Sequence, residues 1–312
     1  MSATLIAVIV VLVAGHAVQS LAALRRFDWL VEWRRYVGGQ AEAGGALNGR
    51  AGLLLVIGLP VLLIGLLQLA LRQSLWGVPW FVFAVLLLFY CWGPRDLDLD
   101  VESIVDAPDA EHKRDAAASL LSASPPPTLS ANSAATAPAS DNSGLNGHAL
   151  VEAVFNGALR RWFGPLLWFL LLGPAGAFAY RITALLAIDA AHADAPTAQR
   201  EDARWLLAVL DWPVAQLMTF ALALAANFDA VFGAWRDWHA GGVRLDTGFL
   251  GAAARASVDI EIADDDTDLP DGSALAATPA LLELRDAMSL VWRMLLLWLA
   301  VIALFVIAHW VS

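Results

Sequence analysis

One cysteine, Cys91, and one lysine, Lys113, occur in the 312 residues, and charged side chains of all kinds make up only 16% of them. A lone thiol forms neither an internal disulfide nor a cysteine-based metal site. Lys113 is followed by Arg114, so a phosphate loop ending in Gly-Lys-Ser/Thr is absent. His16, His112, His148, His192, His239 and His309 form no HxxxH or HExxH pair, which removes the readable zinc patterns. Neither a G-x-S-x-G elbow nor an S-x-x-K pair occurs. No cofactor or metal is expected. The formal net charge of −11 opposes nucleic acid as a partner, because a phosphate-binding surface needs a basic patch.

Apolar residues fill that space, at 59% of the chain and a mean hydropathy of +0.62. Such a composition points to an integral membrane protein with the lipid bilayer as its first partner. Crossing a hydrocarbon core of about 30 Å takes roughly 20 apolar residues. Six stretches come close: Ala3–Leu24, Ala51–Leu71, Ser74–Trp92, Phe163–Ala187, Trp205–Phe228 and Leu290–Val311. The expected fold class is all-α, a polytopic helical bundle. No Lys or Arg precedes Arg25, whereas a secretory signal carries its positive charge ahead of the apolar run, so the first stretch reads as a true span.

Orientation follows from the basic residues. Fifteen of the 19 lie in alternate connections: Arg25, Arg26, Arg34, Arg35 and Arg50; Arg95, Lys113, Arg114, Arg160 and Arg161; Arg236, Arg244, Arg255, Arg285 and Arg293. Arg72, Arg181, Arg200 and Arg204 are the remainder. The pattern predicts six spans with both termini outside the cytoplasm.

Residues 1–107 form an N-terminal membrane half and 148–312 a C-terminal one. Between them, 108–147 is rich in Ala, Ser, Pro and Thr and reads as a disordered cytoplasmic linker. "SVDIEIADDDTDLPDGS", Ser257–Ser273, reads as a solvated acidic loop, with no calcium-loop spacing. After the first stretch, "RRFDWLVEWRRYV" places Phe27, Leu30, Val31, Trp33 and Val37 at near-helical spacing between arginines, the pattern of a short interfacial helix.

Five carboxylates crowd Asp96 to Asp106, directly after the third stretch. "DLDLDV" alternates with period two, yet Leu97, Val101 and Ile104 recur at helical spacing, and Gly93-Pro94 suits a helix start whose dipole favours acid. A helix is predicted, with Asp96 and Asp100 one turn apart. An anionic inner leaflet repels this acid. Pairing with Arg160 or Arg161, an ordinary capped juxtamembrane helix, and a divalent cation between the aspartates are the competing accounts. Asp211, in "LLAVLDWPVAQL", sits two residues before Pro213 inside the fifth stretch; a broken or re-entrant helix lining a cavity and a simple kink both fit.

"GPRDLDLDVESIVDA", "VFNGALRRWFGPLLWFLLLGPAGAFAYRIT" and "LLAVLDWPVAQL" together resemble the AmpE family, itself similar to the CobD/CbiB membrane proteins of cobalamin biosynthesis. The likeness covers most of the chain outside the linker and the acidic loop. It implies an inner-membrane regulatory or signalling modulator of Gram-negative bacteria, linked to chromosomal β-lactamase induction. An AmpD-type amidase pathway or an anhydro-muropeptide of cell-wall recycling would be its partner. The family's motif residues fall on Gly93, Arg95, Asp96, Leu97 and Asp98, on Phe155, Asn156, Arg161, Gly164 and Pro165, and on Asp211, Trp212 and Pro213. With Asp100 and Arg160, the candidate ligand or partner site comprises Arg95, Asp96, Asp98, Asp100, Asn156, Arg160, Arg161 and Asp211. The His-Pro and Asn-Thr-Leu-Asp-Ser motifs of CobD/CbiB are replaced by "AVQSLAALRR" and "YRITALLAID", which sets a membrane amide ligase as the alternative, beside a muropeptide-like solute transporter.

Overall fold

The computed structural model describes residues 6–8, 10–11, 27–44, 50–72, 77–92, 97–124, 145–188, 196–242, 244–268 and 279–311. Among them every regular element is helical: α1 Asp28–Gly44, α2 Arg50–Arg72, α3 Val78–Cys91, α4 Leu97–Val105, α5 Ala110–Ala123, α6 Gly147–Ala158, a π turn Leu159–Phe163, α7 Gly164–Leu172, α8 Pro174–Ile188, α9 Thr197–Ala225, α10 Phe228–His239, α11 Gly248–Asp268 and α12 Pro279–Val311. Among the described residues three helices are long and apolar enough to cross a membrane, within α2, α9 and α12. They differ in burial: half of the most apolar window of α9 is enclosed by protein, against 17% in α2 and 22% in α12.

The chain divides into two compact units, the first made of residues 1–94, 160–210 and 302–312, the second of 95–159 and 211–301. In the first, α8 packs against α2, α3 and α7. Ala84, Leu88 and Cys91 of α3, spaced four then three, are completely buried. The predicted helix after Arg26 is α1. It buries Leu30, Arg34 and Val37, rests on α2, and its Trp33 indole donates to the Val56 carbonyl at 3.2 Å.

The stretch read as a fourth span, Phe163–Ala187, is instead a hairpin. Gly173 turns the chain with φ +74° and ψ −160°, a conformation open to glycine. Pro174 then starts α8. Two close approaches set the packing: Gly164 lies against the Tyr180 ring and Gly176 against the Trp168 carbonyl. Pairs 164/180 and 168/176 run in opposite order, so α7 and α8 are antiparallel. Small residues let the backbones approach, as in membrane helix pairs. Gln68 of α2 closes the turn. Its amide nitrogen donates to the Leu172 carbonyl at 3.2 Å, and its oxygen accepts from the Ala175 N–H at 3.0 Å, satisfying one orphaned group at each helix end.

Of the two readings of Asp211–Pro213, the broken or re-entrant helix does not form: α9 runs unbroken through Pro213. A helix-interior proline frees a carbonyl one turn back. Here that carbonyl belongs to Val209, and beside it the Trp168 indole donates to the Leu210 carbonyl at 3.3 Å.

In the second unit α11 packs on α6 and α10, and α4, α5 and α6 pack on one another. The helix predicted through "DLDLDV" is α4, with Leu97, Val101 and Ile104 all turned inward. Two sequence readings need correction. Helix α5 occupies Ala110–Ala123, inside the segment read as disordered linker. Asp109 caps it, accepting from the His112 N–H at 2.9 Å, and Ala117 and Leu120 are buried. The remainder of that linker, 125–144, lies outside the described residues. Likewise the acidic loop is helical as far as Asp268, because Leu250, Ala253, Ala254, Ser257 and Val258 form a buried stripe that carries the helix into the carboxylates.

Candidate functional site

Helix α6 begins at the Asn146 cap, whose side chain accepts from the Ala149 N–H at 3.1 Å. That fixes the first turn and turns His148 and Glu152, four residues apart, toward α11. There Arg255 and Asp259 repeat the same spacing. His148 Nε2 lies 3.2 Å from Asp259 Oδ1, and Glu152 forms an ion pair with Arg255. The pairs ascend one helix and descend the other, so α6 and α11 are antiparallel. Gly251 makes the seam close, since a Cβ there would stand 3.0 Å from Glu152 Cγ.

Helix α12 extends this ladder. Arg293 Nη1 donates to Glu261 Oε1 at 2.7 Å, and the neighbouring Trp292 indole donates to Asp98 Oδ1 of α4 at 2.9 Å. The Glu283 carboxylate rests against the α-carbon of Gly147, at the N-terminal end of α6 where the helix dipole favours negative charge. Burial pulls the Arg255 guanidinium below the usual arginine range, with the Asp259 charge opposing it. Farther along, Asn156 is buried, and the buried Ser257 hydroxyl has no hydrogen-bond partner among the described residues.

Of the residues singled out in the sequence, Arg95 and Asp96 lie outside the described residues. Asp98, Asp100, Asn156 and Asp211 belong to the second unit and Arg160 and Arg161 to the first. Asp98 and Asn156 sit on α4 and α6, which pack together where Leu97 meets Gly157. Asp211, Asn156 and Arg161 are all buried, and Asp98, Asp100, Arg160, Arg161 and Asp211 each have polar or electrostatic partners. Arg160 and Arg161 occupy the π turn, a widened backbone that recurs at functional positions.

Sequence reasoning missed the ladder itself: His148, Glu152, Arg255, Asp259, Glu261, Trp292 and Arg293. The matching four-residue spacings of His148/Glu152 and Arg255/Asp259 were the available signal. They were hidden by reading Ser257–Ser273 as loop. No group of histidine, cysteine and carboxylate side chains suited to a metal ion occurs among the described residues.

No protein-family model, no curated protein and no solved structure matches the chain.

Proposed function

We propose that the protein is a multi-pass inner-membrane modulator coupling the state of cell-wall recycling to β-lactamase induction, with its arginine-rich connections facing the cytoplasm. In this reading the six apolar stretches cross or enter the bilayer. A charged ligand of the anhydro-muropeptide kind, or an AmpD-type pathway protein, acts on the cytoplasmic-face Asp/Arg groups. The observation that carries it is the α6–α11–α12 ladder. Its charges are committed to one another across three helices, so a ligand carboxylate that takes Arg255 or Arg293 releases Glu152 or Glu261 and loosens the helix contacts. Such a site converts occupancy into a change of packing. The three long apolar helices and the resemblance of the Asp98, Asn156, Arg161 and Asp211 blocks to the AmpE family add support.

The test is β-lactamase induction by a sublethal β-lactam in a deletion strain, complemented at matched membrane levels with wild type, Asp96→Asn, Arg161→Ala, Asp211→Asn or Arg255→Gln. Deletion is expected to alter induction, and the variants to restore it poorly. Induction indifferent to the deletion would sink the proposal.

A further inference from the structure

Helix α10 presents three kinds of surface around its circumference. Val231 is buried at the edge of the cleft against α9, and on that same side of the helix the Trp238 indole donates to Asp246 Oδ1 at 3.0 Å. A second strip carries the charges, Asp229, Arg236 and Asp237, with the last two largely exposed. Between these two strips runs an aromatic row at helical spacing: Phe228, Phe232, Trp235 and His239. Successive rings stand 5.8, 5.6 and 4.6 Å apart. Phe228 and Phe232 remain 53% and 43% exposed, although burying them is what an aqueous surface would favour.

This row continues a neighbouring surface. On the C-terminal half of α9, Leu217, Phe220 and Leu224 point outward on one face, 44%, 56% and 71% exposed. The Ala226–Asn227 elbow, where the Asn227 side chain caps α10 by accepting from the Ala230 N–H at 3.1 Å, brings the two apolar strips together. Between them lies an open cleft lined by Thr219, Phe220, Ala223, Phe228, Phe232 and Trp235. Its polar groups are paired within the protein, the Thr219 hydroxyl donating to the Ala215 carbonyl at 2.9 Å. The Trp235 indole donates to Gln216 Oε1 at 3.0 Å, leaving an almost wholly apolar lining.

We propose that α10 is an interfacial membrane helix and that the α9–α10 cleft seats an acyl chain of a leaflet phospholipid. The occupant follows from continuity and chemistry. The cleft is open along an exposed strip of a helix apolar enough to cross a membrane, and aromatic rings ending in a polar edge suit headgroup depth. A charged strip on the far side of the same helix matches the aqueous phase. This surface stands independently of any part in β-lactamase induction; it rests only on the membrane reading.

Spin labels report it directly. In the full chain, with Cys91→Ala removing the native thiol, single cysteines Phe232→Cys, Asp237→Cys and Leu63→Cys are labelled in nanodiscs of phosphatidylethanolamine and phosphatidylglycerol. Collision with oxygen is compared with collision with a water-soluble nickel complex. Leu63 of α2, 59% exposed, is the lipid reference. The Phe232 label is expected to share its high oxygen-to-nickel ratio, several-fold above that at Asp237. A Phe232 label open to nickel, with Leu63 still in lipid, overturns the proposal. So does one shielded from both probes, which would assign the strip to a protein neighbour or a second copy. A Leu63 label in water removes the membrane reading and this inference with it.

Discussion

Gln68 is the only polar side chain described between Arg50 and Arg72 of α2, and both of its hydrogen bonds go to backbone groups that the Gly173 turn would otherwise strand. Side-chain hydrogen bonds between membrane helices contribute roughly 0.6 to 2 kcal/mol each. Gln68→Leu is therefore expected to destabilise the first unit by about 1–3 kcal/mol, seen as a lower midpoint in denaturing-detergent titration. Gly173→Ala should cost at least as much, because the new methyl meets both a left-handed φ and the Gln68 amide at 2.9 Å. Equal midpoints for wild type and both variants would show that the clamp does not hold the turn. None of this was legible beforehand. In "LLLGPAG" the glycine's φ leaves no trace, and its partner lies 105 positions earlier in the chain, whereas Pro213 left both a break and a kink open and α9 runs on through it.

Among the elements, α5 shows a pH dependence whose sign can be worked out. The His112 backbone N–H first, then its ring, hold the Asp109 carboxyl below the usual aspartate range. The hydrogen bond to Asp109 first, then that carboxylate's charge, push His112 above the usual histidine value. The depressed Asp109 contributes fully above its unfolded value near pH 4 and is lost as pH falls through its folded one. The raised His112 contributes fully below about pH 6.5 and is lost as pH rises through its folded value. The first turn of α5 is thus held best between about pH 4 and 6.5. Hydrogen exchange at the 110–113 amides should be slowest there relative to Asp109→Ala, with that advantage shrinking on either side. The α6–α11 seam is tested by a double-mutant cycle on Glu152→Gln and Arg255→Gln. A coupling of about 1 kcal/mol is expected, since both side chains are partly exposed; a value indistinguishable from zero would remove the ladder's energetic standing. Helix α4 was readable because Leu97, Val101 and Ile104 repeat within eight residues. By contrast α11 was missed because its inward stripe sits mostly ahead of the acidic run, and the partners of that stripe lie about a hundred residues away on α6.

For the whole molecule, composition alone announced helices and a bilayer, and the three long apolar helices agree with it. Counting apolar windows is a weaker instrument than weighing them. A window of about 20 residues measures how much apolar chain there is, not whether that chain travels in one direction. The antiparallel pair α7–α8 turns back at Gly173, so on the proposed membrane reading it leaves by the face it entered and contributes an even number to the tally of crossings, where a single span contributes an odd one. By this count the α8–α9 connection changes side, while α11 does not, because it packs on α6. On a one-span count Glu201 lies across the bilayer from the arginine-rich start of α1; with the hairpin it shares that face, and Arg200 and Arg204 join the basic side. A membrane-impermeant thiol reagent applied to intact cells decides it. Glu201→Cys and Glu32→Cys should both stay protected until the cells are opened, and labelling of Glu201→Cys alone in intact cells would restore the single span.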